Sequence, residues 1–93
     1  MMSGLPEFVS FGEALTDMIR QGENRWASVP GGAPWNVARV MARFGIASAF
    51  GGAVSRDCFG DALWLASAEA GLDPRFLQRL DKSPLLAIVH ETH

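Results

Sequence analysis

Residues 30–45 read Pro-Gly-Gly-Ala-Pro-Trp-Asn-Val-Ala-Arg-Val-Met-Ala-Arg-Phe-Gly, and the change of rhythm inside this stretch decides the fold. Pro30 to Pro34 set two prolines around two glycines, a loop stiff at its ends and permissive in its middle. From Pro34 the apolar residues return at helical spacing. Val37, Val40, Met41 and Phe44 fall at i, i+3, i+4 and i+7, which predicts one apolar helix face. Pro34 suits the first helical position, and Gly45 suits the position just past the end. Arg39 and Arg43, one turn apart, are expected in water.

Towards the N-terminus, Glu7–Gly12 (EFVSFG) predicts a short opening strand. Ala14–Ile19 (ALTDMI) alternates, so Leu15, Asp17 and Ile19 share one face if the segment is extended. An acid between two apolar neighbours on a strand face either lies at the strand end or is used. Arg20–Val29 predicts a turn with short flanking strands. Towards the C-terminus, the apolar run Ile46–Phe50 predicts a buried strand. Asp57 is placed to cap a second helix with an apolar face of Phe59, Ala62, Leu63, Ala66 and Ala70, and Gly71 ends it. Phe76–Leu80 and Leu85–Glu91 read as further strands on either side of the Asp81–Pro84 turn. Strands alternating with helices predict an α/β fold with a mainly parallel sheet and crossover helices. The last strand runs into the C-terminus without a turn or cap, which predicts a cut sheet with an unpaired edge.

Composition narrows the function classes. A chain of 93 residues suits one small domain, and 48% hydrophobic content predicts a packed core. Net charge is −2, and the cations are seven scattered arginines with Lys82 as the only lysine. No clustered cationic face is present, so neither nucleic acid nor a membrane surface is an expected partner. Cys58 is the only cysteine, which excludes an internal disulfide and fits a reducing cytoplasm. Cys58 itself is expected to be buried and inert. The N-terminus lacks the pattern of a secretory signal, and no stretch approaches the ~18 apolar residues needed to span a bilayer. His90 and His93 point to opposite faces of a strand, so a shared metal is not expected. Trp26, Trp35 and Trp64 are expected to pack in the core or under a lid rather than stack on bases. A G-x-G-x-x-G run is absent, which disfavours a dinucleotide-binding half-domain.

Three segments carry chemistry together. They are Gly12-Glu13-x-x-x-Asp17, then Gly31-Gly32-Ala33-Pro34-Trp35-Asn36, then Gly52-Ala53-Val54-Ser55-Arg56-Asp57-x-x-Gly60. Their order and spacing resemble the start of the PfkB/ribokinase family of sugar kinases, the fructokinase-like branch in particular. The likeness continues through NVARVMARFG, IASAFGGAV and AEAGLD. It implies the N-terminal part of a ribokinase-like Rossmann-type sandwich with a small β lid, the lid at about residues 13–29. It implies ATP-dependent phosphorylation of a small sugar, fructose first and 2-keto-3-deoxygluconate second. In that family the acid at the position of Asp17 hydrogen-bonds sugar hydroxyls. The backbone at Gly31-Gly32 packs against the sugar, and the side chain at Asn36 also binds hydroxyls. Sugar hydroxyls donate and accept, so a carboxylate and an amide suit them.

Departures from the pattern bear on the sugar. Trp35 stands where a small residue is common, Ala33 occupies a variable position, and Ser55 replaces a frequent glycine. Ala33 and Trp35 are therefore candidates for the pocket wall or the lid. The family's ATP and Mg2+ are expected for a full-length member, but its Gly-Ala-Gly-Asp segment does not occur in these residues, nor does a Walker-type loop. No catalytic residue is thus expected here. The alternative is a truncated sugar-binding fragment without activity, since phosphoryl transfer depends on positioning and charge stabilisation by the missing half. A homo-oligomer through the lid or the exposed sheet edge is also expected.

Overall fold

The computed structural model describes residues 4–90. Its elements run β1 (Phe8–Phe11), β2 (Leu15–Gly22), β3 (Arg25–Gly31), α1 (Ala33–Arg43), β4 (Ser48–Val54), α2 (Cys58–Glu69), a 3₁₀ turn at Pro74–Phe76, β5 (Leu77–Arg79) and β6 (Leu86–Val89). Glu91 and His93, the end of the expected last strand and the second histidine, lie outside the described residues.

The strands form two three-stranded sheets, one of them wholly parallel. The first has the order β1-β4-β5, all parallel, with Phe8 opposite Ser48 and Gly52 opposite Leu77. Both crossovers step the same way across this sheet, and right-handed connections place α1 and α2 on the same face. The indole Nε1 of Trp35 in α1 donates to the Ser67 hydroxyl in α2 at 2.9 Å, which joins the two helices there. The second sheet has the order β3-β2-β6. β2 and β3 form an antiparallel hairpin turning at Glu23-Asn24, with an irregularity between Arg20 and Gly22. β6 pairs parallel with β2, not with the main sheet, because the Asp81–Pro84 turn carries the chain across. Among the described residues β6 is therefore an edge strand of the hairpin sheet. Pro30 is tolerated in β3 because that strand has its outer side unpaired among the described residues.

The core lies between the first sheet and the helices. Phe50, Val54, Leu63, Leu72, Leu77, Trp35 and the small Ala38 fill it. The α1 face expected from periodicity is the wrong one. Val37, Val40 and Phe44 are 47%, 39% and 76% exposed, whereas Trp35 and Ala38 are buried with Ala42 beside them. Apolar residues lie on both sides of this helix, so spacing alone does not choose between them. The short connections choose: only Gly32 separates β3 from α1, and four residues separate α1 from β4. Arg39, expected in water, is half-buried, while Arg43 is exposed. On α2 the buried positions are Gly60, Leu63 and Ser67, and Ala62 is exposed.

The terminators are as read. Gly45 and Gly71 follow the two helices with φ of 85° and 78°. Cys58, the first residue of α2, is exposed rather than buried because Gly60 and Leu63 take the inward side of that first turn. The radius of gyration, 13.9 Å, exceeds the about 12 Å of a compact domain of this length. The hairpin sheet is not wrapped into the main core.

Candidate functional site

Asp17 sits in the middle of β2, half-buried, opposite Val29, while Leu15 two residues earlier faces Gly31. Thr16 between them is buried on the opposite side. The acid is thus neither a cap nor a strand-end residue. A Cβ added at Gly31 would lie 2.5 Å from Asp17 Oδ2, so a glycine is what lets the carboxylate rest over the β3 backbone. Gly32 follows with φ of 102°, and a Cβ there would lie 2.6 Å from the Glu13 carbonyl oxygen. The two glycines therefore serve different needs: one makes room for a side chain, the other makes a turn no other residue takes without strain.

The turn delivers the chain directly into α1. The Asn36 N–H donates to the Gly32 carbonyl at 2.9 Å, and the Ser10 hydroxyl of β1 donates to the Pro34 carbonyl. The start of α1 is thereby tied to both the hairpin and the main sheet. Asn36 is half-buried, and its Oδ1 accepts from an Arg39 guanidinium nitrogen at 3.0 Å. Ala33 is exposed at the first helical position. Trp35 is 3% exposed, in the core between α1 and α2, and is among the residues lining a cleft with Arg39 and Arg43. Its position one residue before Asn36 turns the ring to the inward side of the helix. Among the expected contacts, Asp17, Gly31, Gly32 and the start of α1 at Asn36 lie together.

The third segment is structural. The Asp57 carboxylate accepts from the N–H groups of Phe59 and Gly60 at 3.0 and 3.1 Å and from the Ser55 hydroxyl at 2.6 Å. The Ser55 hydroxyl, then the Gly60 N–H, hold the Asp57 carboxyl below the usual carboxylate range. Asp73 caps the 3₁₀ turn in the same manner. Desolvation raises its carboxyl, but the N–H, guanidinium and charge of Arg75 outweigh that and hold it low. Ser55 therefore stands in for a glycine with a hydroxyl that supports the cap.

A cleft of about 500 Å³ opens at the C-terminal ends of β1 and β4, where ligands enter parallel α/β sheets. Gly12, Glu13, Ala53, Lys82 and Ser83 are among its lining residues. Gly32 backs onto this lining, since its missing Cβ would meet Glu13 and Ala14. Lys82 was not expected at a site, and the signal for it was its place as the single lysine in the turn that crosses between sheets. That turn is pinned at both ends. The Leu80 N–H donates to the Val54 carbonyl at 2.9 Å, and the Thr16 N–H to the Leu85 carbonyl at 2.9 Å.

Among the described residues no three His, Cys, Asp or Glu side chains are grouped to hold a metal ion, and no glycine-rich phosphate loop occurs in the sequence. Among the described residues no helix is long and apolar enough to cross a membrane.

Comparison with known proteins gives a consistent picture. The sequence profile of the pfkB family carbohydrate kinases matches residues 6–93. The fructokinase of Klebsiella pneumoniae is 41% identical over 70 residues, covering 75% of this chain and 22% of that protein. The chain thus spans about a fifth of the length of that relative. The crystal structure of fructokinase with bound ATP from Xylella fastidiosa superposes with a TM-score of 0.83 at 40% identity, over 90% of this chain and 27% of that one. Fructokinase from Vibrio cholerae O395, in its fructose, ADP and calcium ion bound form, gives a TM-score of 0.79 at 30% identity, over 87% and 27%. These neighbours bear out the ribokinase-like α/β fold.

Proposed function

This chain belongs to the pfkB family of carbohydrate kinases, and from that premise we propose that it carries the sugar-binding part of an ATP-dependent sugar kinase. The observation that carries the reading is the seating of the Asp17 carboxylate over the Gly31 backbone, beside the Gly32–Asn36 entry to α1. The carboxylate accepts from sugar hydroxyls, the Asn36 amide donates to them, and the bare backbone lets the ring approach. A charge-assisted bond to Asp17 is the stronger of the two. Fructose is the first candidate substrate, supported by the fructokinases among the relatives. 2-Keto-3-deoxygluconate is the second.

The β2–β3 hairpin is the proposed cover over the sugar, with residues 13–29 as its extent. Its outer strand carries exposed Trp26 and Val29 and has a free edge among the described residues. That edge is the proposed contact for a second copy of the chain. A monomeric mass by light scattering at high concentration would count against it.

The reading is tested by titrating fructose, 2-keto-3-deoxygluconate and ribose while following the melting temperature. A ligand that binds the native state raises it in proportion to ln(1 + [L]/Kd). The expected result is a saturating shift for one sugar that disappears in Asp17→Ala and in Gly31→Ala. A cooperative melt that none of the three sugars moves would sink the proposal. A coupled assay for ATP-dependent turnover on the same protein separates a kinase from a sugar-binding chain without transfer.

A further inference from the structure

We infer that Arg39 is a positioning residue for sugar recognition: it holds the Asn36 amide so that Nδ2, and not Oδ1, faces the substrate. The inference rests on the reading of Asn36 as a sugar contact.

Arginine only donates hydrogen bonds, so the atom of Asn36 lying 3.0 Å from the Arg39 guanidinium is the carbonyl oxygen. The amide nitrogen is then the end left for a ligand. The guanidinium is itself immobilised. Its central carbon lies 5.5 Å from the centroid of the Trp35 ring, over its face. Trp35 is in turn held by its bond to the Ser67 hydroxyl, which donates to the Leu63 carbonyl at 2.8 Å. Arg39 Nε is buried with no partner among the described residues. A chain of contacts therefore runs from α2 through Trp35 and Arg39 to Asn36. Arg39 is half-buried and leaves one donor uncompensated, which is a poor arrangement for solubility or for a surface ion pair. It is a good arrangement for fixing an amide.

The chemical consequence is directional. Asp17 offers acceptors only, and Asn36 held by Arg39 turns its two N–H donors away from the guanidinium, towards a ligand. A sugar whose hydroxyls donate towards β2 and accept from α1 is matched, and the opposite pattern is rejected. Trp35, where a small residue is common in the family pattern, thereby acts on the site from the core.

The test is a double-mutant cycle on fructose affinity, read by calorimetry, with melting temperature as the control for folding. Arg39→Met is expected to weaken fructose about tenfold. Asn36→Ala is expected to weaken it at least as much, and Asn36→Ala with Arg39→Met no further. Arg39→Lys, which keeps a donor and a cation, is expected to restore part of the loss. Asn36→Asp keeps the bond to Arg39 but removes the donor, so it is expected to lose affinity while melting no lower than the parent. Equal losses from Arg39→Met in both backgrounds would overturn the inference and leave the sugar-contact reading standing. So would unchanged affinity in Arg39→Met. Unchanged affinity in Asn36→Ala would overturn both. If Arg39→Met does not fold, Asn36→Asp decides alone, and parental affinity in that variant overturns the inference.

Discussion

β4 and β3 are both seven-residue strands, yet they live under opposite conditions. In β4, Ser48 to Gly51 are all buried, with β1 and β5 paired on its two sides and helices against one face. In β3, Arg25, Trp26, Ser28 and Val29 are exposed, and one side of the strand has no partner among the described residues. The first strand is held by burial, and the second by a backbone ladder to β2. The hairpin can therefore change at little cost to the fold, whereas the main sheet cannot. The candidate site sits at the joint. Asp17 and Gly31 belong to the hairpin, and Gly32 and Asn36 lead into the helix on the packed side.

Four substitutions probe this contrast, in decreasing order of effect. Phe50→Ala removes a ring 1% exposed at the centre of the packed region and is expected to cost about 3–5 kcal/mol. A small domain has a thin stability margin, so chemical denaturation is expected to show no cooperative transition. A transition within 1 kcal/mol of the parent (roughly, on that same scale) would show that β4 is not the anchor. Gly32→Ala, at the joint, meets both a positive φ and the Glu13 carbonyl, and is expected to cost about 1–3 kcal/mol by the same measurement. A smaller cost would mean that the hairpin shifts as a body to relieve it.

Asp57→Asn acts on the packed side through pH. The Asp57 carboxyl is held below its ordinary value of 3.8 in the folded chain. Its contribution is therefore complete above that value and is lost as pH falls through the folded-state value. The variant is expected to show a shallower fall of melting temperature between about pH 5 and pH 2, with Asp73 supplying the part of the slope that remains. An unchanged slope would show that the cap does not depend on charge. Val29→Thr, on the exposed hairpin, is expected to change stability by no more than about 0.5 kcal/mol. A large loss there would mean that the hairpin face is covered, and would break the contrast itself.

Much of this was legible in the residues. Gly45, Gly71 and Asp57 mark helix ends through local chemistry, and the structure uses each as read. The alternation around Asp17 fixed its face on β2, and the likeness of three spaced segments to a family pointed to Gly31, Gly32 and Asn36. What misled was periodicity without context. Val37, Val40, Met41 and Phe44 obey helical spacing as well as Trp35, Ala38 and Ala42 do, and spacing has no term for which side meets a sheet. Trp35 stood out because a small residue is common at its place, and of the readings open to it the core is where its ring lies.

The sequence by itself determined where the elements start and stop, the α/β alternation, and the residue types at the site. Those depend on caps, turns and local strain, which act over a few residues. Only the tertiary structure decided that β6 joins β2 and that α1 buries Trp35 and Ala38. Each of these depends on residues distant in the chain competing for the same partner, and the outcome is set by which packing buries most surface and leaves fewest polar groups unpaired.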